Sequence, residues 1–209
     1  MNDYRQILEQ DRFYHIYNRG INGTNLFYNK GNYEFFLHRY AEYVSPFVET
    51  YALCLLPNHF HLLVRVKEFN HVSSMEDLTG FKNLSGLKVH IRCNISQAFS
   101  NFFNSYSKAV NKQQQRHGAL FERPFHRKLV TDTKYLANLV FYIHANPQLH
   151  GIANDFRMYP WSSYDKILKN TPTRLEKAQV LQWFSSPENF VAYHNREMDL
   201  EIIKDMMIE

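Results

Sequence analysis

The sequence predicts an α+β fold: a ferredoxin-like split βαβ antiparallel sheet with packed helices, followed by a C-terminal helical appendage. Three observations predict it. Segments of strand and helix character alternate in the order β-α-β-β-α-β-α, Pro57-Asn58 falls between two apolar runs as a hairpin turn does, and the composition changes beyond about residue 165. With 209 residues, 44% hydrophobic and 21% charged, the chain is long enough to bury an ordinary core. A mean hydropathy of -0.47, with no apolar run of about 18 residues, speaks against a membrane span.

The first strand is FYHIYNRG (residues 13–20), aromatic and β-branched, ending at a glycine. Phe35, Phe36, Tyr40 and Val44 then recur at helical spacing over residues 32–44, with Asn32 as the expected N-cap. A second strand (residues 47–56) enters the Pro57-Asn58 turn, and HFHLLVRV (residues 59–66) leaves it as the third. Residues 67–93 have little periodicity and take no assignment. From Asn94, an expected N-cap, Ala98, Phe102, Tyr106 and Ala109 step along one helix face. Pro124 confines the next strand to about residues 126–131. Asp132 caps a helix carrying Leu136, Leu139, Val140 and Ile143, which Pro147 is expected to end at, or one residue before, Asn146. A Thr-Pro hinge (residues 170–173) precedes two amphipathic segments, residues 175–184 and 187–193. The expected organisation is a domain over residues 1–165 and a helical extension over residues 166–209.

Cys54 and Cys93 are the only cysteines and stand far apart, so no disulfide framework or CxxC metal site is expected. The first twenty residues are charged where an export signal is apolar, and the expected location is the cytoplasm. Residues 81–130 hold nine cations (Lys82, Lys88, Arg92, Lys108, Lys112, Arg116, Arg123, Arg127 and Lys128) against Glu122 alone, interleaved with phenylalanines and Tyr106. Cations for phosphates and rings for stacking suit single-stranded nucleic acid; the alternative is a solvated helix face with its aromatics turned inward.

His59 and His61 are two apart on a strand, so both imidazoles project from one face, while Phe60, Leu62 and Val64 take the other. Two neutral imidazoles can hold a divalent ion and leave positions for a phosphate oxygen. Tyr142 and Asn146 are four apart and share one helix face, a phenol beside an amide oxygen. Each pair also has a plainer reading: polar residues at a strand start, and a packed tyrosine with an asparagine C-cap.

Taken together, the motifs resemble a known family. PNHFHLLV (residues 57–64) is similar to the His-hydrophobic-His motif of single-tyrosine HUH transposases, and YIHANP (residues 142–147) to their tyrosine helix in the form of the REP-associated branch. FYHIYNRG, HGALFERPFHRKLV (residues 117–130) and YPWSSY (residues 159–164) resemble further segments of that branch, so the likeness spans about residues 12–165 in order. Where the commonest version has Gln-Gly-Arg, this chain has Glu122-Arg123-Pro124, a departure that bears on substrate preference.

The resemblance implies a divalent ion, Mg²⁺ or Mn²⁺, on His59, His61 and Asn146, and Tyr142 as nucleophile. It implies a metal-dependent endonuclease and strand transferase on hairpin-adjacent single-stranded DNA, working through a 5′-phosphotyrosine, with a monomer favoured over a dimer. Arg65, Lys108, Lys112, Arg123, Arg127 and Lys128 are the expected nucleic-acid contacts. The alternatives are a non-catalytic module binding structured nucleic acid on the same scaffold, and a phosphodiesterase that activates water.

Overall fold

Four strands form one sheet in the order β2-β3-β1-β4 in the computed structural model, which describes residues 6–68 and 95–196. They are β1 (Phe13–Arg19), β2 (Val48–Leu56), β3 (His59–Val66) and β4 (His126–Val130), and each neighbouring pair is antiparallel. β3 lies between β1 and β2, which are joined through α1 (Lys30–Tyr43); β1 lies between β3 and β4, which is reached through α2 (Ile95–Gln113). This is the split βαβ arrangement expected from the order of segments. The expected cap Asn94, Cys93, most of the unassigned loop and the end of the C-terminal extension lie outside the described residues.

Local chemistry sets the element ends. Gly20 closes β1 because a Cβ there would stand 1.8 Å from the Thr24 carbonyl oxygen, a clash no other residue avoids. The cap of α1 is Asn29, whose extended backbone lets its side chain accept from the Asn32 amide at 3.1 Å. Asn32, expected in that role, is instead the third helical residue. Its carboxamide accepts from Tyr28 N at 2.9 Å and donates to Gln113 at the end of α2 at 2.8 Å, a tertiary partner invisible to local spacing.

Each face of the sheet has its own core. Tyr14, Ile16, Phe60, Leu62 and Val64 pack against Phe36, Phe99, Phe102 and Tyr106 of α1 and α2. The other face, with Tyr51, Leu56 and Leu63, packs against Leu139, Val140 and Ile143 of α3 (Thr133–Leu149). Covered on both sides, β3 is buried at every position but Arg65, so its apolar alternation is interrupted by buried polar residues on the α3 face.

α3 runs through Pro147 to Leu149, three residues beyond the expected end. Proline removes one amide donor and crowds the carbonyl four residues earlier, at a cost of about 3 kcal/mol in a helix interior. Here Ala145, Asn146 and Pro147 are all buried, and His150 N donates to Asn146 O at 3.0 Å to close the turn beyond the proline. Burial of residues 145–147 offsets the local penalty.

The remaining helices are α4 (Tyr164–Leu168), α5 (Lys177–Trp183) and α6 (Pro187–His194), the last capped by Ser186 with Pro187 at its first position. Val180, Phe184 and Phe190 enter the same core as α3. A buried chain of hydrogen bonds adds to this: His194 Nε2 to His144 Nδ1 at 2.9 Å, then His144 Nε2 to Ser163 Oγ at 2.7 Å, which also accepts from Leu53 N of β2. Among the described residues no helix is long and apolar enough to cross a membrane.

Candidate active site

The site lies between the α3 face of the sheet and α3 itself. On β3, His59 and His61 both project toward α3, as alternation requires. Their rings stand edge to face with centroids 5.3 Å apart. The Tyr142 ring, only 2% exposed, meets His61 edge-on at 5.5 Å and His15 at 6.1 Å. Asn146, one turn on, is fully buried.

Hydrogen bonds decide which atoms are left over. His59 Nδ1 is 2.7 Å from Asn58 Oδ1, an acceptor, so Nδ1 carries the proton and Nε2 keeps its lone pair. His61 Nδ1 is paired with His15 Nε2 at 2.9 Å. Asn146 Nδ2 donates to the Tyr142 carbonyl at 2.8 Å, which fixes the amide orientation and turns Oδ1 the other way. The atoms without partners are His59 Nε2, His61 Nε2 and Asn146 Oδ1, all buried. Two imidazole nitrogens and an amide oxygen with no donor among them form an acceptor set that a cation would satisfy, and an unmatched buried acceptor is otherwise costly. Among the described residues no three His, Cys, Asp or Glu side chains could hold an ion, and the third acceptor beside the two imidazoles is the amide oxygen.

The electrostatics favour neutral ligands. Burial drives the His61 pKa well below its ordinary value, with His15, His59 and His150 pushing the same way. Burial also lowers His59 to about 4, aided by His150 and Arg19 and partly opposed by the Asn146 side chain. His15 falls to about 3 through burial, then through Lys128 and His126. Neutral imidazole is the metal-binding form.

Spacing within motifs did not reveal His15, Asn58 or His150. His15 shares its β1 face with Tyr17 and Arg19, and Tyr17 pairs directly with His61, so the signal was a histidine at an alternate position of a neighbouring strand. The His150 ring meets His59 edge-on at 4.7 Å from just beyond α3. Tyr17 stacks on His126 of β4 at 4.6 Å and on His61 at 6.0 Å, a row of rings across three strands.

The expected nucleic-acid contacts separate. Lys128 pairs with His15 in register and lies on the site face. Arg65 shares that face at the far end of β3, where it pairs with Glu49 at 2.8 Å and Asp11 at 3.4 Å. Arg127 alternates to the opposite face, 9% exposed and donating to Ser96 of α2 at 2.7 Å, so it is not part of this site. Lys108 and Lys112 are exposed on α2, away from α3, and Arg123 is exposed before β4. Arg19, not singled out before, stands beside His59 and pairs with Glu122 at 2.7 Å.

The fold is a ferredoxin-like sheet carrying a His-Phe-His strand, faced by a helix with Tyr142 and Asn146, which is the placement that the resemblance to single-tyrosine HUH transposases implies. A curated Haemophilus influenzae protein named as a REP-associated tyrosine transposase is 29% identical over 124 residues, 59% of this chain. The chain spans 62% of the length of that relative. The solved structure of a REP-associated tyrosine transposase bound to a REP hairpin has a TM-score of 0.59 at 17% identity, covering 82% of this chain and 89% of the other. No family model matches. The family resemblance read from the sequence is thus met by a curated relative, and the α+β fold by a solved neighbour.

Proposed function

We propose that this protein is a DNA-nicking and strand-joining enzyme of the REP-associated tyrosine transposase kind, acting on single-stranded DNA beside a hairpin, as the names of its relatives suggest. The observation that carries the proposal is the set of three buried, unmatched acceptors, His59 Nε2, His61 Nε2 and Asn146 Oδ1, next to the Tyr142 ring.

These three side chains would hold a divalent ion, Mg²⁺ or Mn²⁺. When bound, the ion would supply charge neutralisation at the non-bridging oxygens of the scissile phosphate. Tyr142 would attack that phosphorus through its phenol oxygen, making a 5′-phosphotyrosine and releasing a 3′-hydroxyl that can later reverse the step on another strand. Asn146 ties ligand and nucleophile to one turn of helix, because its amide grips the Tyr142 carbonyl. The burial of Tyr142 means that the arriving phosphate has to part the side chains covering the ring, which keeps water from competing for the phosphorus. Lys128 and Arg19, on the same face, are the cations nearest the incoming strand. We take the acting species to be a monomer.

The test is a denaturing gel of protein with labelled single-stranded hairpin oligonucleotides in Mg²⁺ or Mn²⁺. A slow-migrating labelled adduct is expected in the wild type, absent with Tyr142→Phe and absent with chelator. Adduct surviving in Tyr142→Phe would overturn the choice of nucleophile, cleavage without adduct would favour activated water, and retention without cleavage would favour the binding module.

A further inference from the structure

On the sheet face opposite the histidines, a cavity of about 490 Å³ opens between α2 and the segment leading into β4. Arg127 lines it. This guanidinium is nine-tenths buried, its Nη1 donates to Ser96 Oγ at 2.7 Å, and it lies over the Phe125 ring at 4.2 Å. Among the described residues its Nε has no partner, and no carboxylate pairs with it.

A buried cation without a counter-charge is a costly arrangement, so the position calls for an anion. The surroundings add to that demand. Ser96 is in the first turn of α2, where the helix dipole is positive, and exposed Arg123 lines the same cavity. Glu122, the one carboxylate of the lining among the described residues, is turned to Arg19 at 2.7 Å. Ser100, whose hydroxyl donates to Ser96 O at 2.9 Å and so is left as an acceptor, and Asn104, an exposed carboxamide, are groups suited to a sugar or base edge rather than to a bare ion. The volume is of the size that encloses a small organic ligand, roughly 300–1,000 Å³.

We propose that this cavity is a nucleotide-binding site, with the phosphate set against Arg127 and Arg123 and the nucleoside toward Ser100 and Asn104, the nucleotide being one unpaired residue of a DNA strand. β4 is an edge strand, so its alternation places Arg127 on this face and Lys128 on the catalytic face. A strand passing around that edge meets both. The source of the nucleotide in DNA rests on the function proposed above; the demand for a phosphate does not.

The test measures the melting temperature of the full chain, without divalent metal, against inorganic phosphate, deoxynucleoside monophosphates and an unpaired oligonucleotide, with equilibrium binding of the labelled oligonucleotide alongside. Nucleotides and oligonucleotide are expected to raise the wild-type melting temperature. Arg127→Met should abolish that rise, weaken oligonucleotide binding roughly tenfold or more, as loss of a charge-assisted hydrogen bond does, and melt no lower than wild type without ligand. Arg123→Ala and Asn104→Ala, at exposed positions, should weaken binding in the same direction by a few fold, and they carry the test if Arg127→Met does not fold.

Equal binding by wild type and Arg127→Met, or a lower melting temperature with binding unchanged, overturns the site. A response to inorganic phosphate but not to nucleotides overturns the nucleotide, and a response to mononucleotides but not to the oligonucleotide overturns the strand. His59→Ala with His61→Ala should leave this binding intact while removing the covalent adduct, so failure of the catalytic reading and failure of this one are separable.

Discussion

His15 Nε2 lies 2.9 Å from His61 Nδ1, and both rings are buried. For His61 to offer Nε2 to a cation, its Nδ1 has to carry the proton and His15 has to accept it, so the tautomer of the strand-borne ligand is set from the neighbouring strand. His15→Leu should keep the fold but weaken divalent-ion affinity by about 10–100-fold. Titration of Mn²⁺ followed by melting temperature checks this; unaltered affinity in a folded variant would sink the positioning role.

Metal should stabilise the protein through the three unmatched acceptors, by an amount that grows with ion concentration over the dissociation constant. Asn146→Leu, which removes the amide oxygen and keeps the bulk, is expected to shrink the shift that Mn²⁺ produces, and His59→Ala with His61→Ala to abolish it. Differential scanning fluorimetry with and without chelator reads the outcome. An undiminished shift in the double variant would place the ion elsewhere.

Stability should fall on acidification. Burial holds His144 well below the ordinary imidazole range and His194 at about 4, the latter despite the Phe190 carbonyl, which favours the charged form. The unfolded chain takes up protons near 6.5 that the folded one refuses, so this stability is complete above that pH and declines toward pH 4. The slope is about 1.4 kcal/mol per pH unit for each such imidazole. Urea unfolding between pH 7.5 and 4.5 measures it, and a flat profile would contradict buried neutral histidines.

Phe190 of α6 is fully buried against the His144 and His194 rings. Phe190→Ala should cost about 3–5 kcal/mol in denaturant unfolding, the usual loss for an emptied core aromatic. A change of only a few tenths would mean that α6 contributes little to the core beside α3.

Arg65 is bound to Glu49 and Asp11, so Arg65→Ala should leave the salt dependence of DNA binding unchanged. Lys128→Ala, on the site face, should lower the log–log slope by about one. Filter binding across a salt series distinguishes them. Equal loss in both variants would make Arg65 a phosphate contact.

The sequence by itself determined the sheet and the face on which each strand residue lies. Period-two alternation from His59 to Val66 put two imidazoles on one side whatever the rest of the chain did, and four-residue spacing put Tyr142 and Asn146 on one helix face. Tertiary structure decided everything that depends on partners distant in sequence. Asn32 lost the cap of α1 because Gln113, 81 residues away, holds its amide. Helix α3 continued through Pro147 because the turn that contains the proline is buried. His15 became the partner of His61 across 46 residues, Arg65 met Glu49 and Asp11, and Arg127 met Ser96 of α2. Local spacing fixes the direction in which a side chain leaves the backbone; what it meets there depends on strand order and on the elements that cover each face, which only the folded chain brings together.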